Sequence, residues 1–352
     1  MRILQLLLRD TVGGAESVAK ALDEEFRMRG CIAEIRFLDP PGTMTKRPLN
    51  RLKRLRMLYG GAEQPRYDVV FAQTALPILY AAASHPRNLA LIAVLQSAHD
   101  DYQDIRLRYA QRLLLGRIDA TVAVSSIQAA EYVGRYPMTH TTVRVIENCV
   151  DTSRFRPAPV AIQASPLRLL TATRLVPWKR VELAIAGASE LVRKSGCSVH
   201  LSILGDGDPV YVAQLRDKAA NCAIEGLEIE FLGESANVDN VMRRSHALVH
   251  CSKAEGFSVA LVEGASSGLI LVVSDLLESV PKGAILRRFS DGDATSLAAT
   301  LSLLASDLRL ATDSARVAAT VVSETYSAAT AASKYLAVAQ EAIDMKKERV
   351  RS

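Results

Sequence analysis

The chain has 352 residues, 49% of them hydrophobic, a formal charge of +5 and only 5% aromatics. That is enough for two cored domains, and it argues against a nucleic-acid surface built on interleaved aromatic and basic residues. No stretch approaches the roughly 20 apolar residues of a transmembrane helix, and MRILQLLLRD lacks a signal-peptide charge region and cleavage site. Five scattered cysteines without CxxC spacing read as free thiols of a reducing, cytoplasmic setting.

Short apolar runs alternate with helical patterns along the chain. Arg2–Leu8 predicts a strand, residues 15–29 an amphipathic helix closed by Gly30, and residues 31–38 a second strand. The basic run KRPLNRLKRLR, residues 46–56, follows. Its six basic residues account for much of an uneven charge, since residues 1–160 hold 22 Lys/Arg against 16 Asp/Glu. Strands are predicted again at 67–73, 89–96, 119–124 and 142–146. After DTSRFRPAPVAIQASP, residues 151–166, which reads as an interdomain linker, a second series begins at 167–173. It continues at 198–204, 227–232, 247–251 and 269–273. Strands without polar alternation are buried on both faces, the mark of a parallel sheet flanked by helices. The fold class is therefore α/β, with two doubly wound, Rossmann-like domains in tandem. In such sheets ligands lie beyond the carboxyl ends of the strands. The N-terminal domain is placed at residues 1–157 and the C-terminal domain at 158–325. The helical tail from about 326 to 352 either packs back on the first domain or frays.

The stretch KAEGFSVALVEGASSG, residues 253–268, poses a chemical question, because Glu255 and Glu263 lie eight positions apart in an apolar setting. Ser258 reads as a helix N-cap. A helix starting there offers free amides and the positive end of a dipole, which suit phosphate. Gly256 permits close approach to the backbone, and carboxylates on either side suit vicinal hydroxyls. An isolated E-x7-E fits a surface helix with two unrelated acids equally well. Arg174 and Lys179 in TATRLVPWKRVELAIAGA, residues 171–188, suit a leaving diphosphate, although alone they read as solvated charges. The ILGDGD turn, residues 203–208, with Gly205 and Gly207, offers an apparent D-x-D metal site. That metal reading is set aside because DGD recurs at 291–293.

These motifs together resemble the signature of the retaining GT-B glycosyltransferases of family 4, and the resemblance spans nearly the whole chain. The frame E-G-F-x-x-x-x-x-E falls on Glu255, Gly256, Phe257 and Glu263, with Ser258 and Val259 opening the helix. The resemblance implies that Glu255 contacts the donor hexose and Glu263 the ribose. Arg174 and Lys179 would neutralise the diphosphate, and Gly205 and Gly233, the latter in FLGES, would line the nucleotide. Gly13 and Gly14 of VGGAES would face the donor phosphates, and His99 of LQSAHDD would lie near the reacting sugar, with Asp100 a weaker candidate. VIENCVDTSRFRP, residues 145–157, resembles the N-G-V-D-x-x-x-F-x-P hinge through Asn148, Asp151, Phe155 and Pro157.

The implied fold is GT-B, two such domains facing across a cleft. The implied activity is hexose transfer from a UDP-, GDP- or ADP-sugar, with configuration retained and neither metal nor cofactor. The acceptor would be a glycan or lipid-linked hydroxyl in cell-surface polysaccharide or glycoconjugate synthesis. Residues 46–59 read either as an interfacial helix on anionic membrane, making the protein peripheral, or as a solvated loop; no nucleic-acid partner is expected. Cys149, Arg180 and Ser258 stand where glycine is common in the family, Ile270 replaces a frequent proline, and SDLLES, residues 274–279, lacks a common glycine pair. A nucleotide-sugar epimerase and a catalytically silent nucleotide-sugar-binding scaffold remain as alternatives.

Overall fold

The computed structural model describes residues 1–351 apart from Val12, 41–47, 61–65, 97–104, 137–141, 160–162 and Ala236. The chain divides into two compact units, Met1–Cys149 with Ala328–Ser352, and Val150–Ser327. The junction therefore lies ahead of Pro157. Residues 150–157 belong with the second unit because Val150 N donates to Tyr326 O (2.9 Å) and Val150 pairs with Ser327. Phe155 is buried, and Pro157 packs against Gly268.

The first unit holds a six-stranded parallel sheet in the order β2-β1-β3-β4-β5-β6. Its strands are β1 (Arg2–Leu7), β2 (Ile32–Phe37), β3 (Val69–Gln73), β4 (Ala90–Leu95), β5 (Ala120–Ala123) and β6 (Thr142–Val145). β3 and β4 are buried along their whole length, so their apolar runs need no alternation. Helix α1 (Gly14–Met28) follows β1 and buries Val18, Leu22 and Phe26. Gly30, with φ +77, closes it in the left-handed region that favours glycine. Helices α2 (Pro48–Tyr59), α3 (Ala75–Ser84), α4 (Ile105–Leu114) and α5 (Ser126–Arg135) complete the crossovers. The C-terminal helix α12 (Ala328–Arg351) packs along α1 and β4. Lys346 anchors its last turns through hydrogen bonds to both oxygens of Asp119, at 3.0 and 2.9 Å.

The second unit holds a parallel sheet in the order β12-β11-β10-β7-β8-β9. Its strands are β7 (Leu167–Ala172), β8 (Val199–Leu204), β9 (Leu227–Gly233), β10 (Ala247–His250), β11 (Ile270–Ser274) and β12 (Leu286–Phe289). The sequence pattern misses β12. It is an edge strand of sequence LRRF, with Arg287 paired to Asp307 at 2.8 Å and Arg288 bonded to the carbonyls of Ser274 and Leu277. Two arginines in four residues hide its extended backbone. The intervening helices are α6 (Val181–Ser195), α7 (Pro209–Asn221), α8 (Val238–Met242), α9 (Val259–Ser266), α10 (Ala294–Ser306) and α11 (Leu308–Thr325). Strand order reverses between β7 and β10, so a ligand crevice is expected beyond the carboxyl ends of these two strands. Among the described residues no helix is long and apolar enough to cross a membrane.

Candidate active site

The loops leaving β7 and β10 carry the charged residues of the site. A single 3-10 turn, Pro177–Lys179, follows β7. Lys179 bonds to Glu255, and His250, the last residue of β10, donates from Nε2 to the same carboxylate oxygen at 2.8 Å. Lys179 and Glu255 side chains are each 12% exposed. Burial pushes the Glu255 carboxyl up. The His250 hydrogen bond and the Lys179 charge outweigh it, so the group lies well below the usual carboxylate range and is ionised at neutral pH. His250 is absent from the sequence-based set. It sits inside an apolar strand, and only the fold shows that its ring meets Glu255.

The loop after β10 then turns through buried Gly256, Phe257 and Ser258 into α9, where Val259 is the first helical residue. Phe257 packs on Tyr326 with ring centroids 5.6 Å apart. Ser258 holds the N-cap position, but its side chain makes no capping bond, which corrects the expectation drawn from its hydroxyl. In α6, α7 and α10, by contrast, a side chain accepts from a first-turn amide. Val181 N, opening α6, donates to the Tyr211 hydroxyl at 3.0 Å, and that hydroxyl bonds to Glu182. Asp208 caps α7 by accepting from Val210 N and Tyr211 N, both at 2.9 Å. Asp293 caps α10 by accepting from Thr295 N and Ser296 N, at 2.8 and 3.1 Å. Of the helices following β7, β8, β10 and β12, α9 is thus the one whose first-turn amides meet no side-chain acceptor among the described residues, which leaves them able to bind an anion. In the ILGDGD turn, Asp206 accepts from Gly207 N at 2.8 Å while Asp208 caps α7.

The other predicted residues fall into three groups. Arg174 is exposed just past β7, its guanidinium 5.9 Å from the Trp178 ring centroid. Gly205 and Gly207 are required by packing: a Cβ there would come within 1.9 Å of Thr173 O and 2.1 Å of Leu175 O. Gly233, with φ +64, accepts a bond from Gly205 N at 2.8 Å. In the first unit Gly13 has extended backbone, and Gly14 opens α1. A Cβ at Gly13 would meet only the Glu16 carboxylate, the end of a flexible side chain. His99 and Asp100 lie outside the described residues. Thr74, at the β1/β3 switch point of that unit, has φ 67 and ψ 168, a conformation an L-residue rarely adopts.

Glu263 does not share the surroundings of Glu255. It lies on the buried face of α9 with Arg154 and Asp239 as its electrostatic neighbours. Burial raises its pKa to about 8, Arg154 offsets this in part, and Asp239 adds to it. A raised folded-state pKa favours folding below the unfolded value of 4.5, and the advantage is lost as pH rises through about 8. At about 1.4 kcal/mol per unit, the difference reaches a few kcal/mol. The urea midpoint of the wild type should therefore fall relative to that of Glu263→Gln as pH rises from 5 to 9; parallel profiles would refute the buried neutral carboxyl. Nearby, a hollow of about 580 Å³ is lined by Ser153, Arg154, Arg156, Pro157, Pro159, Asp239 and Arg243. Neither Lys179 nor Glu255 borders it, and Arg154 and Arg243 are both engaged by Asp239.

Residues 12–154 match the family described as Glycosyltransferase Family 4, and residues 166–307 match Glycosyl transferases group 1. The chain belongs to the family 4, group 1 glycosyltransferases. Curated relatives include a phosphatidylinositol N-acetylglucosaminyltransferase component of Arabidopsis thaliana. It is 29% identical over 187 residues, 52% of this chain and 40% of the relative. The gpi3 component of the corresponding Schizosaccharomyces pombe transferase is 28% identical over 201 residues, 56% and 43% of the two chains. Each match spans less than half of the relative. Among solved structures, Anabaena HepE in complex with UDP and glucose superposes with a TM-score of 0.76 at 19% identity, covering 96% of this chain and 98% of that one. A glycosyltransferase from Rickettsia africae gives 0.77 at 16% identity over 97% and 98%. Sucrose-phosphate synthase from Thermosynechococcus elongatus gives 0.75 at 14% over the full length of both. The fold of this glycosyltransferase is GT-B, with two parallel-sheet α/β units of six strands each.

Proposed function

We propose that this glycosyltransferase moves a hexosyl group from a nucleotide diphosphate donor, UDP in the first instance, to a lipid-borne or glycan hydroxyl with retention of configuration. The observation that carries this reading is the uncapped start of α9 beside the Lys179–Glu255–His250 cluster, at the strand-order reversal. Support for UDP comes from HepE, whose structure holds UDP. Support for a lipid acceptor comes from the two curated relatives, whose names specify phosphatidylinositol.

The chemistry follows from charge. Breaking the sugar–phosphate bond builds negative charge on the diphosphate oxygen. Lys179 has three N–H groups, one of them engaged by Glu255, so it can meet a phosphate oxygen without losing its partner. Together with Arg174 and the α9 amides it forms a preorganised positive pole, and such groups stabilise developing charge by several kcal/mol. Glu255, held ionised by His250 and Lys179, accepts hydrogen bonds from sugar hydroxyls. The acceptor oxygen bonds to the anomeric carbon as the phosphate oxygen departs, and that departing oxygen takes the acceptor's proton on the same face. In this scheme no step needs a metal. Purified protein assayed with UDP-, GDP- and ADP-sugars should release nucleotide from one donor class in the presence of EDTA. The product should keep the donor's anomeric configuration by NMR. No turnover with any donor, or an inverted product, would overturn the proposal.

A membrane contact through α2 is the second part of the proposal. The structure narrows it, because two of its basic residues point inward: Arg51 forms a bidentate pair with Asp39 at 2.8 and 2.5 Å, and Arg54 bonds to Leu38 O at 2.7 Å. The outward face presents Leu49, Lys53, Arg56 and Met57, a mixture of apolar and cationic side chains suited to an anionic interface. At about 1 kcal/mol per basic residue, replacing Lys53 and Arg56 with glutamine should weaken binding to phosphatidylglycerol-containing vesicles roughly 30-fold. Unchanged co-sedimentation would reject the contact.

A further inference from the structure

Arg180 follows the proposed phosphate-binding Lys179 directly, and its backbone is in the left-handed region, with φ 50 and ψ 45. An L-residue is held there only when its surroundings over-determine it. The surroundings are visible in its bonds. Arg180 Nε donates to Cys251 O at 3.0 Å, and both terminal nitrogens grip the Asp291 carboxylate, Nη1 at 3.0 Å. Asp291 in turn accepts from Ser274 Oγ at 2.7 Å, and its own amide donates to Asp275 Oδ1 at 3.0 Å. One guanidinium therefore ties together the segments leaving β7, β10, β11 and β12, all at the carboxyl ends of the parallel strands. The hydrogen bond from Arg180 raises the Asp291–Arg180 pair's preference for the charged state on both sides.

The pattern around Lys179 gives this brace a direction. Trp178 O accepts from Lys253 N at 3.0 Å, Lys179 bonds to Glu255, and Arg180 bonds to Cys251 O. Three consecutive residues of the β7 turn are thus each fastened to residues 251–255 of the β10 loop. A lysine side chain has a flexible four-carbon stem, and without fixed flanks its ammonium would sample many positions. We infer that Arg180 is a positioning residue, which pins the β7 turn to the β10 loop through Cys251 O and Asp291 so that Lys179 is held where a donor's diphosphate must bind. The inference rests on the diphosphate reading of the site. Arg180 itself, with its guanidinium bonded to Cys251 O and Asp291, is not assigned a contact with the donor.

The test compares nucleoside diphosphates with monophosphates. Titration calorimetry on the full chain with UDP, GDP and ADP, each beside its monophosphate, gives the ratio of the two dissociation constants. Lys179→Ala sets the value expected when the cation is removed. Arg180→Gly suits the left-handed backbone, so it removes the brace without adding strain. It is expected to cut the preference for diphosphate about tenfold while leaving monophosphate affinity within twofold of the wild type. Arg180→Lys, which keeps the charge but not the bidentate grip, should retain part of the preference, and Asp291→Asn should lose it in the same direction. A role confined to stability would lower the melting temperature and leave the ratio unchanged. An Arg180→Gly ratio equal to the wild type's, with Lys179→Ala reduced, overturns the inference alone. A wild type without diphosphate preference overturns the site reading with it. Should Arg180→Gly fail to fold, an unaltered ratio in both Asp291→Asn and Arg180→Lys has the same force.

Discussion

Glu255→Gln is expected to lower kcat/KM for sugar transfer by about 10²–10³-fold, the loss typical of one preorganised charge-stabilising group. The carboxylate acts on three counts: it accepts from His250, it pairs with Lys179, and in the proposed reaction it receives a sugar hydroxyl. Glutamine keeps the shape and one acceptor oxygen but leaves the Lys179 ammonium, 12% exposed, without its counter-charge. Because the two groups act as a unit, Lys179→Ala should cost a similar factor. The double variant should then cost far less than the product of the two single losses. Steady-state kinetics of the four proteins make the cycle. Fully additive effects in kcal/mol would mean that the salt bridge has no part in the reaction. The pH profile adds a check of sign. A carboxylate held below its ordinary range contributes stability above its unfolded pKa, lost only as pH falls through the folded value. Glu255 therefore stays ionised at pH 5 and above, and the acid limb of the activity profile should not arise from it.

The second large effect concerns stability and lies in the first unit. Asp119→Asn or Lys346→Met is expected to destabilise that unit by about 3–5 kcal/mol, the cost of leaving one half of a buried ion pair alone. Their side chains are 4% and 13% exposed, and Asp119 also receives the Leu91 amide at 2.9 Å, so the pair connects α12 to the amino-terminal ends of β4 and β5. Replacing both partners with apolar residues should cost less than either single change, because no uncompensated charge remains. Urea denaturation gives the midpoints. Hydrogen exchange along α12 should show its last turns opening first in the single variants. Exchange that is unaltered in α12 would assign the helix's attachment to its alanine-rich face on α1 instead.

What the sequence discloses and what it withholds follow physical lines. The strands β3 and β4 are legible because both their faces are buried, so apolar residues run without interruption. Edge strand β12 is illegible because its arginines reach neighbouring carbonyls and Asp307 while only its backbone joins the sheet. At the site, the spacing of Glu255 and Glu263 and the Arg174/Lys179 pair can be read along the chain. The helix start at Ser258 can be read as well, but the absence of a bond from its hydroxyl cannot. His250, Arg180 and Asp291 act through contacts across 5, 71 and 111 positions, and no local pattern announces them. The same holds for Arg51 and Arg54, which a one-dimensional reading counts as surface charge although Asp39 and Leu38 O engage them.

At the centre of the account is the claim that the α9 amides and Lys179 hold a diphosphate between them. A crystal structure of the complex with UDP tests it most directly. The β-phosphate should lie within hydrogen-bond distance of Lys179 Nζ and of the first amides of α9, with Arg174 turned toward the same group. A pyrophosphate bound away from Lys179 and the turn at Ser258, for instance in the hollow between Arg156 and Arg243, would contradict it.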